Sequence, residues 1–148
     1  MKSGSGVAAR AYRSAHAGSG VLDVVIAVYD AIVVDLLKAR DARAAGRFDS
    51  EFKLLQNASR LVLGLHATLD QQLQAPVIAS LQRFYLTINF QILAIPRDAD
   101  PDGSAVRLLR QIRAMRDAWR EVLARFPAVA GMRQSRTVAE INDLNVVL

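Results

Sequence analysis

The segment between Pro76 and Pro96 carries two apolar faces, although a helix on the surface of a soluble protein needs only one. One set of apolar residues recurs at three- and four-residue spacing, which places its side chains along one side of an α-helix. Its members are Ile78, Leu81, Tyr85, Ile88, Ile92 and Ile95. A second set, nearly opposite on a helical wheel, consists of Ala79, Leu86, Phe90 and Leu93. This pattern predicts a helix that buries one face in a core and offers the other to a partner.

Three other segments have the same helical period. The first is expected from Val21 to Ala45, capped by Ser19 and ended by Gly46 in the left-handed conformation. It is apolar nearly all round, so we expect it to be central or covered. The second begins near Asp49 or Ser50, and its predicted inward face consists of Phe52, Leu55, Ala58, Val62, Leu65 and Leu69.

The remaining boundaries come from prolines and turn residues. Pro76 suits the first turn of the third helix, and Pro96 ends that helix. The fourth helix follows the Asp98–Gly103 turn. Its predicted inward face consists of Leu108, Leu109, Ile112, Met115, Trp119, Val122, Leu123 and Phe126.

Long helices joined by short turns favour antiparallel neighbours, so the predicted fold is an all-α, antiparallel up-down four-helix bundle. The bundle is assigned to residues 21–126, after an N-terminal arm (1–20) that we expect to be mobile. In the C-terminal tail (127–148), Thr137 and Glu140 form a capping-box pattern that precedes an apolar repeat. That repeat predicts a short amphipathic helix with Val138, Ile141, Leu144 and Val147 or Leu148 on one side.

The composition argues against an enzyme. The chain has no cysteine, which excludes disulfides, thiolate metal sites and cysteine nucleophiles. Its two histidines, His16 and His66, are far apart and have no clustered carboxylates around them. No glycine-rich phosphate loop or nucleophile elbow is present. We therefore expect no catalytic residues, no metal and no cofactor.

The longest apolar region does not predict a membrane span. Val21 to Leu37 is interrupted by Asp23, Asp30 and Asp35, and the preceding residues lack the continuous apolar stretch of a signal peptide. We therefore expect a cytoplasmic protein with no stable membrane insertion.

The excess of basic over acidic residues suggests a second class of function. The formal net charge is +5, and the fourth segment contains five regularly spaced arginines: Arg107, Arg110, Arg113, Arg116 and Arg120. Such a series could bind nucleic acid. However, Asp117 and Glu121 share the same surface, and no nucleic-acid motif accompanies it. The pattern favours a solvated bundle face, with no nucleic acid as partner.

Several short elements carry a resemblance to a known family. In chain order they are Ala11-Tyr12, Val28-Tyr29-Asp30-Ala31, Ala39 and Gly46, Leu55 and Ala58, Leu65 and Leu69-Asp70, Leu81 and Phe84-Tyr85, and Ala118-Trp119. With this order and spacing the sequence resembles the flagellin-specific export chaperones, the FliS family. It departs from the family pattern at Arg13, in the absence of a glycine between Asp70 and Pro76, and in its longer tail.

The resemblance implies a non-enzymatic cytoplasmic chaperone. Such a protein binds the C-terminal helical segment of flagellin, prevents premature polymerisation and delivers the subunit to the flagellar export gate. An amphipathic client segment needs an apolar groove. The candidate groove residues are Leu86, Phe90 and Leu93, together with Val24, Val28 and Ala31.

Other interpretations of these apolar residues remain open. They could be ordinary core, or the covered interface of a structural homodimer. Tyr12 in the arm either docks on the bundle as a removable cap, meets a later partner such as the export gate, or only anchors the arm.

The tail helix has about the shape of the client segment. It could therefore fold back over the exposed face of the first or third helix and stand in for flagellin. A frayed tail, a permanently fixed fifth helix and a swap between protomers are the alternatives.

Overall fold

The computed structural model of the chain describes residues 20–69 and 76–125, which form four α-helices. They are α1 (Val21–Ala44), α2 (Phe48–Ala67), α3 (Pro76–Ala94) and α4 (Pro101–Arg125). One turn of 3₁₀ helix, Ile95–Arg97, follows α3. These two ranges contain no strand, so the predicted all-α bundle is confirmed.

Side-chain pairs between helices establish their antiparallel order. Arg43 near the end of α1 pairs with Glu51 near the start of α2 at 3.0 Å. Arg40 of α1 contacts Asp102 at the start of α4 at 2.8 Å. Helix α1 therefore runs opposite to both α2 and α4, and it packs against both of them.

The prediction that α1 is central is confirmed. Its side chains Tyr29, Ile32 and Leu36 are each only 1% exposed. They join α2, α3 and α4 in one continuous hydrophobic core. The core contributions of the other helices include Leu55, Ala58, Val62 and Leu65 from α2, Tyr85, Ile88 and Ile92 from α3, and Leu108, Leu109 and Ile112 from α4.

Two predicted helix boundaries are confirmed by their backbone. Gly46 has φ +74°, the left-handed conformation that ends α1, and Pro76 occupies the first position of α3.

Two predicted caps and one predicted helix start are wrong. Gly20 rather than Ser19 is the N-cap of α1, because the Asp23 carboxylate three residues later accepts its N–H at 3.2 Å. Helix α2 begins at Phe48, before either predicted capping residue, and Arg47 caps it without a side-chain bond. Helix α4 begins at Pro101, so Asp102 and Gly103 belong to the helix rather than to the turn.

Two residues assigned to inward faces are on the surface. Phe52 of α2 is 58% exposed and Val122 of α4 is 39% exposed. In α2 the buried side is centred on Ala58 and Val62, and Phe52 lies well off that line. The predicted core residue Phe126, the arm with Tyr12, and the tail residues 127–148 lie outside the described residues.

Candidate functional site

A hydrogen bond between α2 and α3 marks the floor of the candidate site. The Ser59 hydroxyl of α2 donates to the side-chain oxygen of Asn89 of α3. Phe52 and Leu63 lie seven residues before and four residues after Ser59, so they share its side of α2. Leu86 and Leu93 lie three residues before and four residues after Asn89, so they share its side of α3.

Four of five large apolar side chains therefore border the junction of α2 and α3 on its outer side, and the fifth, Phe90, lies beside Leu86 and Leu93 on the outward face of α3. The five side chains are Phe52, Leu63, Leu86, Phe90 and Leu93, and all of them are exposed. We refer to this surface as the α2/α3 groove. Phe90 is the most exposed of them, at 71%. Exposed apolar side chains on two packed helices are typical of a protein interaction site.

An open depression extends the groove at one end. It has a volume of about 570 Å³ and is lined by His66, Ala79, Gln82, Arg83 and Leu86. Because Ala79 and Leu86 belong to the second apolar face of the third helix, that face borders both the depression and the groove. Sequence reasoning identified Leu86, Phe90 and Leu93 but missed Phe52 and Leu63 on the facing helix.

The α1 candidates lie on a different side of α2. Val24, Val28, Ala31 and Asp35 recur at four- and three-residue spacing along one side of α1. The Asp35 carboxylate accepts a 2.6 Å hydrogen bond from the Asn57 amide of α2, so this side of α1 faces α2. Val24 is only 7% exposed, whereas Val28 and Ala31 are partly buried. The structure therefore separates the two predicted sets: one borders α1/α2 and the other α2/α3.

The Asp35–Asn57 pair is a buried polar contact that periodicity did not predict. Asp35 is only 6% exposed. Burial raises the pKa of its carboxyl group, while the hydrogen bond from Asn57 and the positive charge of Lys38 act in the opposite direction. The pair ties α1 to α2 one turn beyond Ala31, on the side of α1 that carries the candidate residues.

Two buried tyrosines set the orientation of α3. The Tyr29 hydroxyl of α1 donates to the Tyr85 hydroxyl of α3 at 2.9 Å, and the Trp119 indole N–H of α4 donates to Tyr29 at 3.4 Å. Burial raises the pKa of both tyrosines, so both hydroxyls stay protonated. With Tyr85 turned into the core, the opposite face of α3 points outward, and Phe90 lies on it.

The arginines of α4 do not form one free stripe. Arg116 contacts Asp30 of α1 at 3.0 Å, and Arg120 contacts the same carboxylate at 3.4 Å. Arg125 pairs with Glu121 at 2.6 Å. Arg107, Arg110 and Arg113 are exposed. The C-terminal half of this face therefore serves to hold α4 on α1.

Neither a metal site nor a membrane span is found in the described ranges. Residues 20–69 and 76–125 contain no group of three histidine, aspartate or glutamate side chains placed to hold a metal ion. Within those same residues, every helix is too short or too polar to cross a bilayer.

Comparison with known protein families gives a match over most of the chain. The sequence model of the family described as flagellar protein FliS matches residues 8–125, which include all of the described helices. No curated protein and no solved structure gives a significant match.

Proposed function

Because the chain belongs to the FliS family of flagellar export chaperones, we propose that it binds the C-terminal helical segment of flagellin in the α2/α3 groove. Binding there would cover the apolar side of the segment and so prevent premature polymerisation. We further propose that the chaperone works in the cytoplasm and hands flagellin to a component of the flagellar export gate.

The exposed apolar line of the groove is the observation that supports this proposal. An amphipathic client helix inserts apolar side chains at three- and four-residue spacing. Leu86, Phe90 and Leu93 have that spacing on α3, and Phe52 and Leu63 supply the facing wall on α2. Ordering a disordered client segment costs several kcal/mol, which a long apolar contact can offset and a single small pocket cannot.

The α1 candidates suit a second stretch of the same client. Val28 and Ala31 are partly buried, so they offer less contact area than the groove residues. A segment that wraps from the α2/α3 groove around α2 would reach them next. We propose that Tyr12, between Ala11 and Arg13 in the arm, either docks on the bundle as a removable cap or meets a later partner such as the export gate.

A binding titration with the isolated C-terminal segment of flagellin tests the proposal. We expect binding that changes less than threefold when the salt concentration is raised several-fold, because the contact is apolar. An affinity that falls steeply with salt would contradict an apolar contact and favour a nucleic-acid-like, charge-driven one. Absence of binding at any salt concentration would contradict the proposed client.

Analytical ultracentrifugation of the same protein tests the homodimer alternative. If α2/α3 were a two-fold interface, the chain would run as a dimer in analytical ultracentrifugation and Phe90→Glu would make it monomeric. We expect that no second chain occupies the groove, so Phe90→Glu should leave the protein monomeric, as the parent is.

A further inference from the structure

One end of the α2/α3 groove is flanked by positive charge. Arg60 is exposed on α2 three residues before Leu63, and Arg83 is exposed on α3 three residues before Leu86. Among the described residues, neither of these two arginines takes part in a salt bridge. The groove therefore suits a helix whose apolar face is bordered by carboxylates.

The end of the same chain has that composition. Residues 138–148 contain Glu140 and Asp143 but no lysine or arginine. Val138, Ile141 and Leu144 recur at three-residue spacing, which places them on one side of a helix. This segment lies beyond residues 8–125, the part of the chain that matches the family, so it is additional to the shared bundle.

We propose that residues 138–148 dock as an amphipathic helix in the α2/α3 groove of their own chain, with Glu140 and Asp143 near Arg60 and Arg83. The docked segment would cover Leu86, Phe90 and Leu93. It would leave when a client binds; this competitive role rests on the proposed function, whereas the docking itself does not.

The geometry permits this within one chain. Arg116 and Arg120 contact Asp30 of α1, so α4 ends at the end of the bundle where α1 starts, α2 ends and α3 begins. Residues 126–137 can span up to about 40 Å when extended. A helix of residues 138–148 is about 16 Å long, and the line from Leu86 to Leu93 is about 10 Å.

Docking of the tail should lower the apparent affinity of the chain for a client. The apparent affinity for a client equals the intrinsic affinity multiplied by the fraction of chains whose groove is open. A tail that occupies the groove in about nine chains of ten would weaken client binding about tenfold. It would also hide apolar surface from dyes that bind exposed hydrophobic patches.

Disulfide trapping tests the docking, because the chain has no cysteine of its own. The test variant combines Leu86→Cys in the groove with Leu144→Cys in the tail. The control combines Arg113→Cys, on the exposed face of α4, with Leu144→Cys. We expect the first pair to form an intrachain disulfide at least tenfold faster than the second. Equal rates, or crosslinks mainly between two chains, would overturn the proposal.

A titration with the flagellin segment tests the competition. Leu144→Gln should tighten binding about three- to tenfold, whereas Ala139→Gln, on the other side of the tail helix, should leave it unchanged. If Leu144→Gln left the affinity unchanged while trapping succeeded, the competitive role would be wrong. If the unmodified chain bound no flagellin segment, the proposed function would fail and trapping would still decide whether the tail docks.

Discussion

The hydroxyl of Tyr29 donates a 2.9 Å hydrogen bond to the hydroxyl of Tyr85, across the core from α1 to α3. The two ring centroids are 6.3 Å apart. Trp119 of α4 donates to the same Tyr29 hydroxyl at 3.4 Å, so one polar chain joins three helices. Because Tyr85 is held inward, the outward face of α3 is presented to solvent with Phe90 at its centre.

Removing one hydroxyl of this pair should lower the free energy of unfolding by more than half of the loss that follows when both are removed. Tyr85→Phe leaves the buried Tyr29 hydroxyl without its acceptor, and Tyr29→Phe leaves Tyr85 without its donor. We expect each single variant to lower the free energy of unfolding by about 1–2 kcal/mol. The double variant should lose less than the sum of the two. Urea titrations followed by the fluorescence of Trp119, the single tryptophan, measure all three; strict additivity would show that the hydroxyls do not interact.

The buried carboxyl group of Asp35 should make stability depend on pH. Its pKa is raised in the folded state, so its favourable contribution is present below the unfolded pKa of 3.8 and is lost as the pH rises through the folded pKa. Asp35→Asn removes this loss and leaves an oxygen that can accept the Asn57 bond. We therefore expect the variant to gain stability relative to the parent at pH 7 and to lose that advantage toward pH 3.

Melting curves of both proteins across this pH range measure the difference. Asp102 provides the control, because Arg40 holds the pKa of Asp102 below its ordinary value and its contribution therefore has the opposite sign. A constant difference between Asp35→Asn and the parent at every pH would contradict the account of the Asp35–Asn57 pair.

The two described glycines of the α1–α2 hairpin should respond oppositely to alanine. Gly46 has φ +74°, so Gly46→Ala should destabilise the bundle by about 1 kcal/mol through backbone strain alone, since nothing lies within 4 Å of the added methyl. Gly64 lies inside α2, also in open space, and Gly64→Ala should stabilise it by up to about 1 kcal/mol. Thermal melts of both variants decide this, and two shifts of the same sign would be inconsistent with it.

The sequence is sufficient to predict the four helices of residues 20–69 and 76–125, their antiparallel order and the outward face of α3. Those features depend on helical periodicity and on Gly46 and Pro76, whose backbone preferences are local. The facing wall of the groove was missed because Phe52 has the same spacing as true core residues, and only the packing of α2 against two neighbours reveals its exposure.

The sequence also could not show that the α1 candidates and the α3 candidates lie on different sides of α2. Val24 and Phe90 both lie off the main core faces of their helices on a helical wheel. Which of them is covered depends on where α2 sits, and two polar contacts, Asp35–Asn57 and Ser59–Asn89, define that position. Single-helix patterns carry no information about such pairs.

Phe52 and Leu63 should contribute to client binding although the sequence did not identify them. Phe52→Glu places a charge on the α2 wall of the groove without entering the core, because Phe52 is 58% exposed. We expect it to weaken binding of the flagellin segment about tenfold and to shift the melting temperature by only a few degrees. Leu63→Glu should behave in the same way. Unchanged binding in both variants would limit the contact surface to α3.

The central claim is that Phe90 belongs to a client-binding groove and not to the core. Calorimetric titration of the Phe90→Glu variant with the C-terminal segment of flagellin tests it most directly. The control is Val34→Glu, which also replaces an exposed apolar side chain by an acidic one. Val34 is on α1, four residues after Asp30, and Asp30 contacts α4. We predict that Phe90→Glu weakens binding about thirtyfold with its helical circular dichroism and melting temperature preserved, while Val34→Glu binds like the parent. Full affinity in a folded Phe90→Glu variant, or collapse of its melting transition, would contradict the account.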